Sequence, residues 1–324
     1  MRYTMQKNMN TSTRYSMRRN NHIAIYTRAS FFEETNRRSV VIPEGIERIA
    51  PSTFFGSDDL EEVILPGSLK SIGDFAFAFC SALSKIHIPD NVIDLGEGAF
   101  QCCISLKEVT LPSHIPALSP GLFNYCFNLK SIRIPDIEVI PEGAFQGTSL
   151  EEVKLPKSLI EIQNSAFAEC SLLERVVMGP NVKYIGDSAF MYCSSLSEIK
   201  LPDSLRAIGR EAFYAGLYLD DLVIPEGIIE IMPGSFTFAR MKRVVFPKSL
   251  RIIRREAFLL CESLEEIEFN NNLDFLGYKA FSACKNLKTI IGSECLPPTL
   301  GKRSFDGTHF AKLYSPRYGK GKAR

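Results

Sequence analysis

The sequence predicts a repeat solenoid that is mainly β, a single right-handed superhelix of parallel strands and short turns with little helix. Three observations predict it. A Phe, usually in the pair Ala-Phe, recurs at Phe54, Phe77, Phe100, Phe123, Phe145, Phe167, Phe190, Phe213, Phe236, Phe258, Phe281 and Phe305; the steps are 23 residues seven times, 22 three times and 24 once. An Ile/Leu-Pro step keeps the same register at Ile42-Pro43, Leu65-Pro66, Ile88-Pro89, Leu111-Pro112, Ile134-Pro135, Leu155-Pro156, Leu201-Pro202 and Ile224-Pro225. A Leu follows the Phe by six residues at Leu60, Leu83, Leu106, Leu129, Leu173, Leu196, Leu219, Leu264 and Leu287. The 324 residues are therefore twelve copies of one unit plus caps, not two ordinary domains.

Each unit reads as a short strand, a Pro-led turn, a second short extended piece and a Phe-anchored turn into the next copy. In the run from Leu83 to Pro89 the alternation has period two, as a strand with one buried face requires. The proline closes the strand because it has no N–H for the ladder. The second extended piece ends in an aliphatic residue and Gly, at Ile72-Gly73, Leu95-Gly96, Ile185-Gly186, Ile208-Gly209 and Leu276-Gly277. Glycine there marks a backbone that a side chain would crowd. One copy cannot bury enough apolar surface to offset the ordering of its backbone, so the stable object is the stacked array. Twelve strands spaced as in a sheet extend about 55–60 Å.

The unit Leu-Pro-x-Ser-Leu-x-x-Ile-x-x-x-Ala-Phe-x-x-Cys-x-x-Leu, written in residues 155–173 and recast in 201–219, resembles the leucine-rich repeat of the BspA-like family. The resemblance covers about residues 39–316. The run from Cys295 to Phe305, followed by Leu313-Tyr314-Ser315-Pro316, is similar to the closing cap of such arrays. That family consists largely of bacterial and protist surface proteins, so the resemblance implies a non-catalytic binding or adhesion role outside the cell.

Four segments are expected. Residues 1–20 form a disordered basic tail and residues 21–38 a degenerate capping half-repeat. In the latter, Ile23, Tyr26, Ser30 and Phe31 precede Ile46, Ile49, Thr53 and Phe54 by 23 residues. The leucine-rich repeat array fills 39–310, and 311–324 hold the end of the C-terminal cap and a second basic tail.

The formal net charge of +1 conceals this organisation. Residues 1–38 carry Arg2, Lys7, Arg14, Arg18, Arg19, Arg28, Arg37 and Arg38 against Glu33 and Glu34; residues 311–324 carry Lys312, Arg317, Lys320, Lys322 and Arg324 with no acid. The body between them is acidic. No secretory signal is visible at the N-terminus, which reads as a tail, as an extension from an upstream start codon, or as an organelle presequence. A cell-surface or extracellular location follows from the resemblance, with the cytoplasm as the alternative. No apolar run is long enough for a transmembrane segment.

Seven cysteines stand three residues after the Phe: Cys80, Cys103, Cys126, Cys170, Cys193, Cys261 and Cys284. Stacking brings neighbours within disulfide range, but Ser57, Thr148, Gly216, Ala239 and Thr308 fill the same column. The slot selects for size, and a buried thiol serves as a small hydrophobe. Cys102 and Cys295 lie off the column and are the better candidates for an accessible thiol.

Nothing marks an enzyme, and no cofactor, metal site or small-molecule substrate is implied. His22, His87, His114 and His309 have no partner spacing that fits a triad or a metal site, and no phosphate loop or dinucleotide fingerprint occurs. The basic tails lack the interleaved aromatics of a single-strand groove, so no specific nucleic acid is expected. The expectation is a monomeric scaffold for a protein partner. The runner-up is an intracellular scaffold that meets anionic partners through its tails.

One outward strand column runs Glu62, Lys85, Glu108, Ser131, Glu152, Arg175, Glu198, Asp221, Arg243 and Glu266. Its alternating signs read as cross-strand pairing. The array departs from its own consensus between Phe213 and Phe258, where Gly216 and Ala239 fill the small slot and the turn after Phe236 is one residue short. That stretch also supplies Tyr214, Tyr218, Phe238, Arg240, Lys242, Arg243, Lys248, Arg251, Arg254 and Arg255. Aromatics and cations at a break in a regular array mark a partner site, and the nine candidate partner-binding residues are Tyr214, Tyr218, Phe238, Arg240, Lys242, Arg243, Arg251, Arg254 and Arg255. The plainer reading is repeat decay with a solvated basic rim.

Overall fold

The computed structural model describes residues 24–314, apart from 271–272 and 298–299. The basic segment 1–20 and the residues beyond 314 lie outside the described residues. The described chain is a parallel β-solenoid of about 12 turns with little helix. Most coils give one strand to each of two ladders; the coil of residues 111–135 gives none. Three-residue strands such as Glu62–Ile64, Lys85–His87 and Glu152–Lys154 form the first. Two-residue strands such as Arg48–Ile49, Ser71–Ile72 and Asp94–Leu95 form the second. Pairing is parallel and advances by one repeat, as in Glu152↔Arg175 and Arg175↔Glu198.

The core is one continuous stack. All twelve repeat Phe are buried, and successive rings lie face to face with centroids 4.8–5.9 Å apart and planes within 17°. Offset stacking adds roughly 0.5–1.5 kcal/mol per pair beyond the area buried. Tyr26 extends the stack, 5.7 Å from Phe54, and Phe31 closes it edge-on at 4.9 Å. These two residues belong to the strand Ile25–Tyr26, which pairs with Arg48–Ile49, and the helix Arg28–Phe32, capped by Thr27. At the other end Tyr314 of the helix Ala311–Tyr314 packs 5.2 Å from Phe305.

The Phe turns form a third set of rungs. In each turn alternate amides point along the solenoid axis: Phe75, Phe77 and Phe79 donate to the carbonyls of Glu97, Ala99 and Gln101, each at 2.8 Å. The residues between them close i to i+3 turns, as in Ala78 to Phe75. Such an alternation requires left-handed backbone on both sides of the Phe. Among the described residues, all seventeen non-glycine residues with positive φ, from Ser52 to Arg303, stand two before or two after a repeat Phe. Glycines fill the remaining positions of these two columns.

The glycine after the second ladder strand is crowded, as its pattern indicates. A Cβ on Gly96 would lie 2.2 Å from the Asp74 backbone nitrogen, and one on Gly73 would lie 2.6 Å from that of Pro51. The second ladder is interrupted between Asp94–Leu95 and Val139–Ile140. Proline explains it: the Ile93 amide bonds the Lys70 carbonyl at 2.9 Å, and the equivalent residue one repeat later is Pro116, which has no N–H.

Candidate functional site

The departure between Phe213 and Phe258 changes the path of the chain. In a regular coil the column cysteine begins a turn, as where the Leu196 amide bonds the Cys193 carbonyl at 3.0 Å. At Gly216 the backbone itself closes onto the preceding coil: a Cβ there would meet the Phe190 carbonyl oxygen at 2.3 Å. The turn is replaced by strand. Tyr218–Val223 and Arg240–Val245 are six residues each and pair with Tyr218↔Arg240, Leu219↔Met241 and Asp221↔Arg243.

This lengthening sets Tyr218 and Arg240 side by side, with the guanidinium carbon 5.8 Å from the ring centre. The Phe turns beside them contribute a row of rings on the outside. Tyr192 and Tyr214 meet edge-on at 5.5 Å, and Tyr214 and Phe238 at 5.4 Å. Tyr192 and Phe238 stand in the left-handed column, with φ of 59° each; in the coil between them Ala215 takes that conformation and Tyr214, one residue earlier, supplies the ring. With Ser194, Leu260, Glu262 and Ser263 these side chains line an open groove of about 830 Å³. Burial, reinforced by Tyr192 and Glu211, raises the pKa of the Tyr214 hydroxyl, which keeps its proton at neutral pH.

Four of the nine candidate residues therefore share one groove: Tyr214, Tyr218, Phe238 and Arg240. Lys242 and Arg243 lie farther along the first ladder and are engaged there. Lys242 pairs with Asp220 at 2.6 Å, and Arg243 is held by Glu266 at 2.7 Å and by Glu268. Arg251, Arg254 and Arg255 flank the strand Ile252–Ile253 of the second ladder, where Arg254 pairs with Glu230. These five do not join the aromatic row. Tyr192, Ser194, Glu262 and Ser263 complete the groove from coils that obey the consensus, so no local irregularity marks them. The one signal for Tyr192 is its column, which also holds Phe79, Tyr125 and Phe238.

The outward strand column is paired as its alternation indicates. Lys85 meets Glu62 at 3.2 Å, and Arg175 bridges Glu198 at 2.6 Å and Glu152 at 3.8 Å. The seven column cysteines are buried free thiols. Each Sγ donates to the carbonyl of the repeat Phe one coil earlier, at 3.0–3.1 Å. Where the slot holds a threonine its hydroxyl also donates to a Phe carbonyl: Thr148 and Thr308 bond those of their own coils. Cys102 and Cys295 are half-buried, and burial pushes the Cys102 thiol up, away from the thiolate. Among the described residues no group of three His, Cys, Asp or Glu side chains is arranged to hold a metal ion, and no helix is long and apolar enough to cross a membrane.

Fold and repeat chemistry together define a leucine-rich-repeat scaffold. The chain belongs to the family of BspA type leucine rich repeat regions, whose pattern (6 copies) matches residues 26–146, 117–239 and 229–317. A leucine-rich repeat protein from Bacteroides ovatus is similar over 83% of this chain and 76% of its own, at 26% identity and a TM-score of 0.69. A leucine-rich repeat protein from Eubacterium ventriosum shares the fold at 18% identity and a TM-score of 0.56, over 84% of this chain and 82% of its own. The pneumococcal vaccine antigen PcpA does so at 24% identity and a TM-score of 0.50, over 80% and 75%. No curated protein gives a significant match.

Proposed function

We propose that the protein is a non-enzymatic interaction scaffold, displayed outside the cell, which holds a protein partner in the groove of Tyr192, Tyr214, Tyr218, Phe238 and Arg240. The observation that carries the reading is the coincidence of two features: the array breaks its own pattern at Gly216 and Ala239, and the break is where exposed rings and an arginine converge. Aromatic and arginine side chains on a rigid frame are the usual energetic centre of a protein interface. The solenoid supplies the frame, because each ring is fixed by a coil stacked on both sides. Display outside the cell rests on the family resemblance.

The test uses the immobilised full chain against a panel of purified extracellular-matrix and cell-surface proteins, read by surface plasmon resonance. The reading expects a saturable binder whose affinity falls at least about tenfold in the Tyr214→Ala, Phe238→Ala, Arg240→Ala triple variant. A binder that holds the triple variant as tightly as the parent counts against the groove. Surface proteolysis of intact cells checks display: a chain that resists protease until the cells are lysed contradicts it.

A further inference from the structure

We infer that the groove takes a proline-rich segment of its partner in the polyproline II conformation, with an acidic residue opposite Arg240. The inference rests on the proposed function above and names the chemistry of the partner. Four observations carry it.

The rings are presented, not packed. Tyr192, Tyr218 and Phe238 are 46%, 57% and 43% exposed, although each belongs to the largest apolar side chains in its coil. Tyr192 and Phe238 hold these positions in left-handed backbone, which costs a bulky residue about 1–2 kcal/mol and is kept where the surroundings fix it. Flat, rigid rings lose little entropy when a pyrrolidine ring settles on them.

The length of the row fits. From Tyr192 through Tyr214 to Phe238 it spans at most about 11 Å, against about 9.3 Å for the three residues of one polyproline II turn. A ring on one coil and a ring two coils on thus meet the same face of such a segment.

Every polar side chain of the groove except Glu262 can donate, although the Tyr192 and Tyr214 hydroxyls spend one hydrogen bond on each other. The hydroxyls of Tyr192, Tyr214 and Tyr218, those of Ser194 and Ser263, and the Arg240 guanidinium line the groove, while the carboxylate of Glu262 is held by Lys285 at 2.6 Å. A run of prolines is the complement: its carbonyls are all free and it has almost no N–H to offer. An α-helix spends its carbonyls internally, and an extended strand brings as many donors as acceptors.

The charge is open. Lys242, Arg243 and Arg254 each have a carboxylate partner, whereas Arg240 stacks on Tyr218 and makes no ion pair among the described residues. A guanidinium fixed on a ring is ready for one carboxylate from the ligand.

The experiment is fluorescence anisotropy with the full chain and a set of labelled short peptides. Proline frames carry Asp or Glu at each position in turn; the controls are an all-proline frame, glycine-serine peptides with the same acids, an acidic helix-forming peptide and a glucan oligosaccharide. The expected result is saturable binding of at least one acidic proline frame well below about 1 mM. Tyr214→Ala with Phe238→Ala weakens every proline frame at least about tenfold, and Arg240→Ala removes the preference for acidic over all-proline frames. The thermal midpoints of these variants should match that of the parent, because the three side chains lie outside the core.

Absence of saturation by every proline frame up to about 1 mM overturns the inference, as does binding of the glycine-serine, helical or oligosaccharide controls as tightly as the best frame. If the frames fail while a natural partner still loses its hold on the triple variant, the polyproline class falls and the groove reading stands. If the partner also ignores the triple variant, both fall.

Discussion

The Sγ of Cys103 lies 3.1 Å from the carbonyl oxygen of Phe77, the repeat Phe of the preceding coil. The same relationship recurs at all seven column cysteines, so the thiols are rungs that tie coil to coil through a backbone acceptor which the Cys80 amide already uses. Each thiol lies where water does not reach, and at Cys80, Cys103, Cys126, Cys170, Cys193 and Cys261 burial raises the pKa: to about 12 for Cys80 and to about 11 for Cys170.

Alkaline pH should therefore unfold the array. A thiol whose pKa is higher in the folded chain than its unfolded value of 9.0 binds its proton more tightly when folded. Its contribution is complete below pH 9 and is lost as the pH rises toward 11 at Cys170 and 12 at Cys80. Each pH unit inside that window removes about 1.4 kcal/mol per such thiol. Urea melts between pH 8 and 11 check this, and a flat profile would contradict it. At pH 8 a thiol reagent should label Cys102 and Cys295 in the native chain and reach the other seven only on unfolding.

The left-handed columns predict opposite outcomes for two substitutions. Glu211 is exposed and has a φ of 53°, so Glu211→Gly relieves a strained backbone and should raise stability by about 1 kcal/mol. Gly96→Ala drives a Cβ to 2.2 Å from the Asp74 nitrogen, which cannot move without its coil, and should cost more than about 2 kcal/mol. Thermal denaturation of the pair separates the two effects. Destabilisation by Glu211→Gly would show that the position is not strained.

Arg28 caps the N-terminal end of the turn rungs. These rungs all point their amides toward the next coil, so the coil of Phe54 presents carbonyls with no preceding donor. The Arg28 guanidinium donates to one of these, the Phe55 carbonyl, and also to the Ser52 carbonyl that closes the turn with the Phe55 amide, each at 3.1 Å. Arg28→Ala should cost about 1 kcal/mol or less globally, and should speed amide exchange in residues 46–60 while leaving the middle of the array unchanged. Uniform acceleration along the whole chain would contradict a local cap.

The strand-face ion pairs are predicted to contribute little. Arg175 bridges two carboxylates, but all three side chains are about half exposed. Arg175→Ala should leave the thermal midpoint unchanged at physiological salt. A clear loss that added salt abolishes would assign the column a larger share of stability.

The fold was legible because each structural role is filled by one residue type in a fixed column, so Phe54 to Phe305 declare the stack directly. The strained columns were not, because Gly98, Gly121, Gly143 and Gly234 occupy only some of the left-handed sites, while Ser, Glu, Lys and even Phe75 fill the rest. Stacked coils hold these residues in place regardless of their own preference. At the candidate site, Tyr214, Tyr218, Phe238 and Arg240 could be found from the break in the pattern. Arg251, Arg254 and Arg255 are near them in sequence, yet residues 246–251 carry the chain from the first ladder around to the second. Tyr192 and Glu262 were missed for the converse reason: they are a full repeat away in sequence and one coil away in space.

The most direct test is a comparison of two triple variants on one binder identified from the panel. Tyr214→Ala, Phe238→Ala, Arg240→Ala empties the groove, and Arg133→Ala, Lys154→Ala, Lys200→Ala strips cations from the strand face. The account predicts that the first weakens binding at least about tenfold while the second changes it by less than about twofold, with both thermal midpoints unchanged. Loss of binding in the second with retention in the first would place the interaction on the strand face and contradict it.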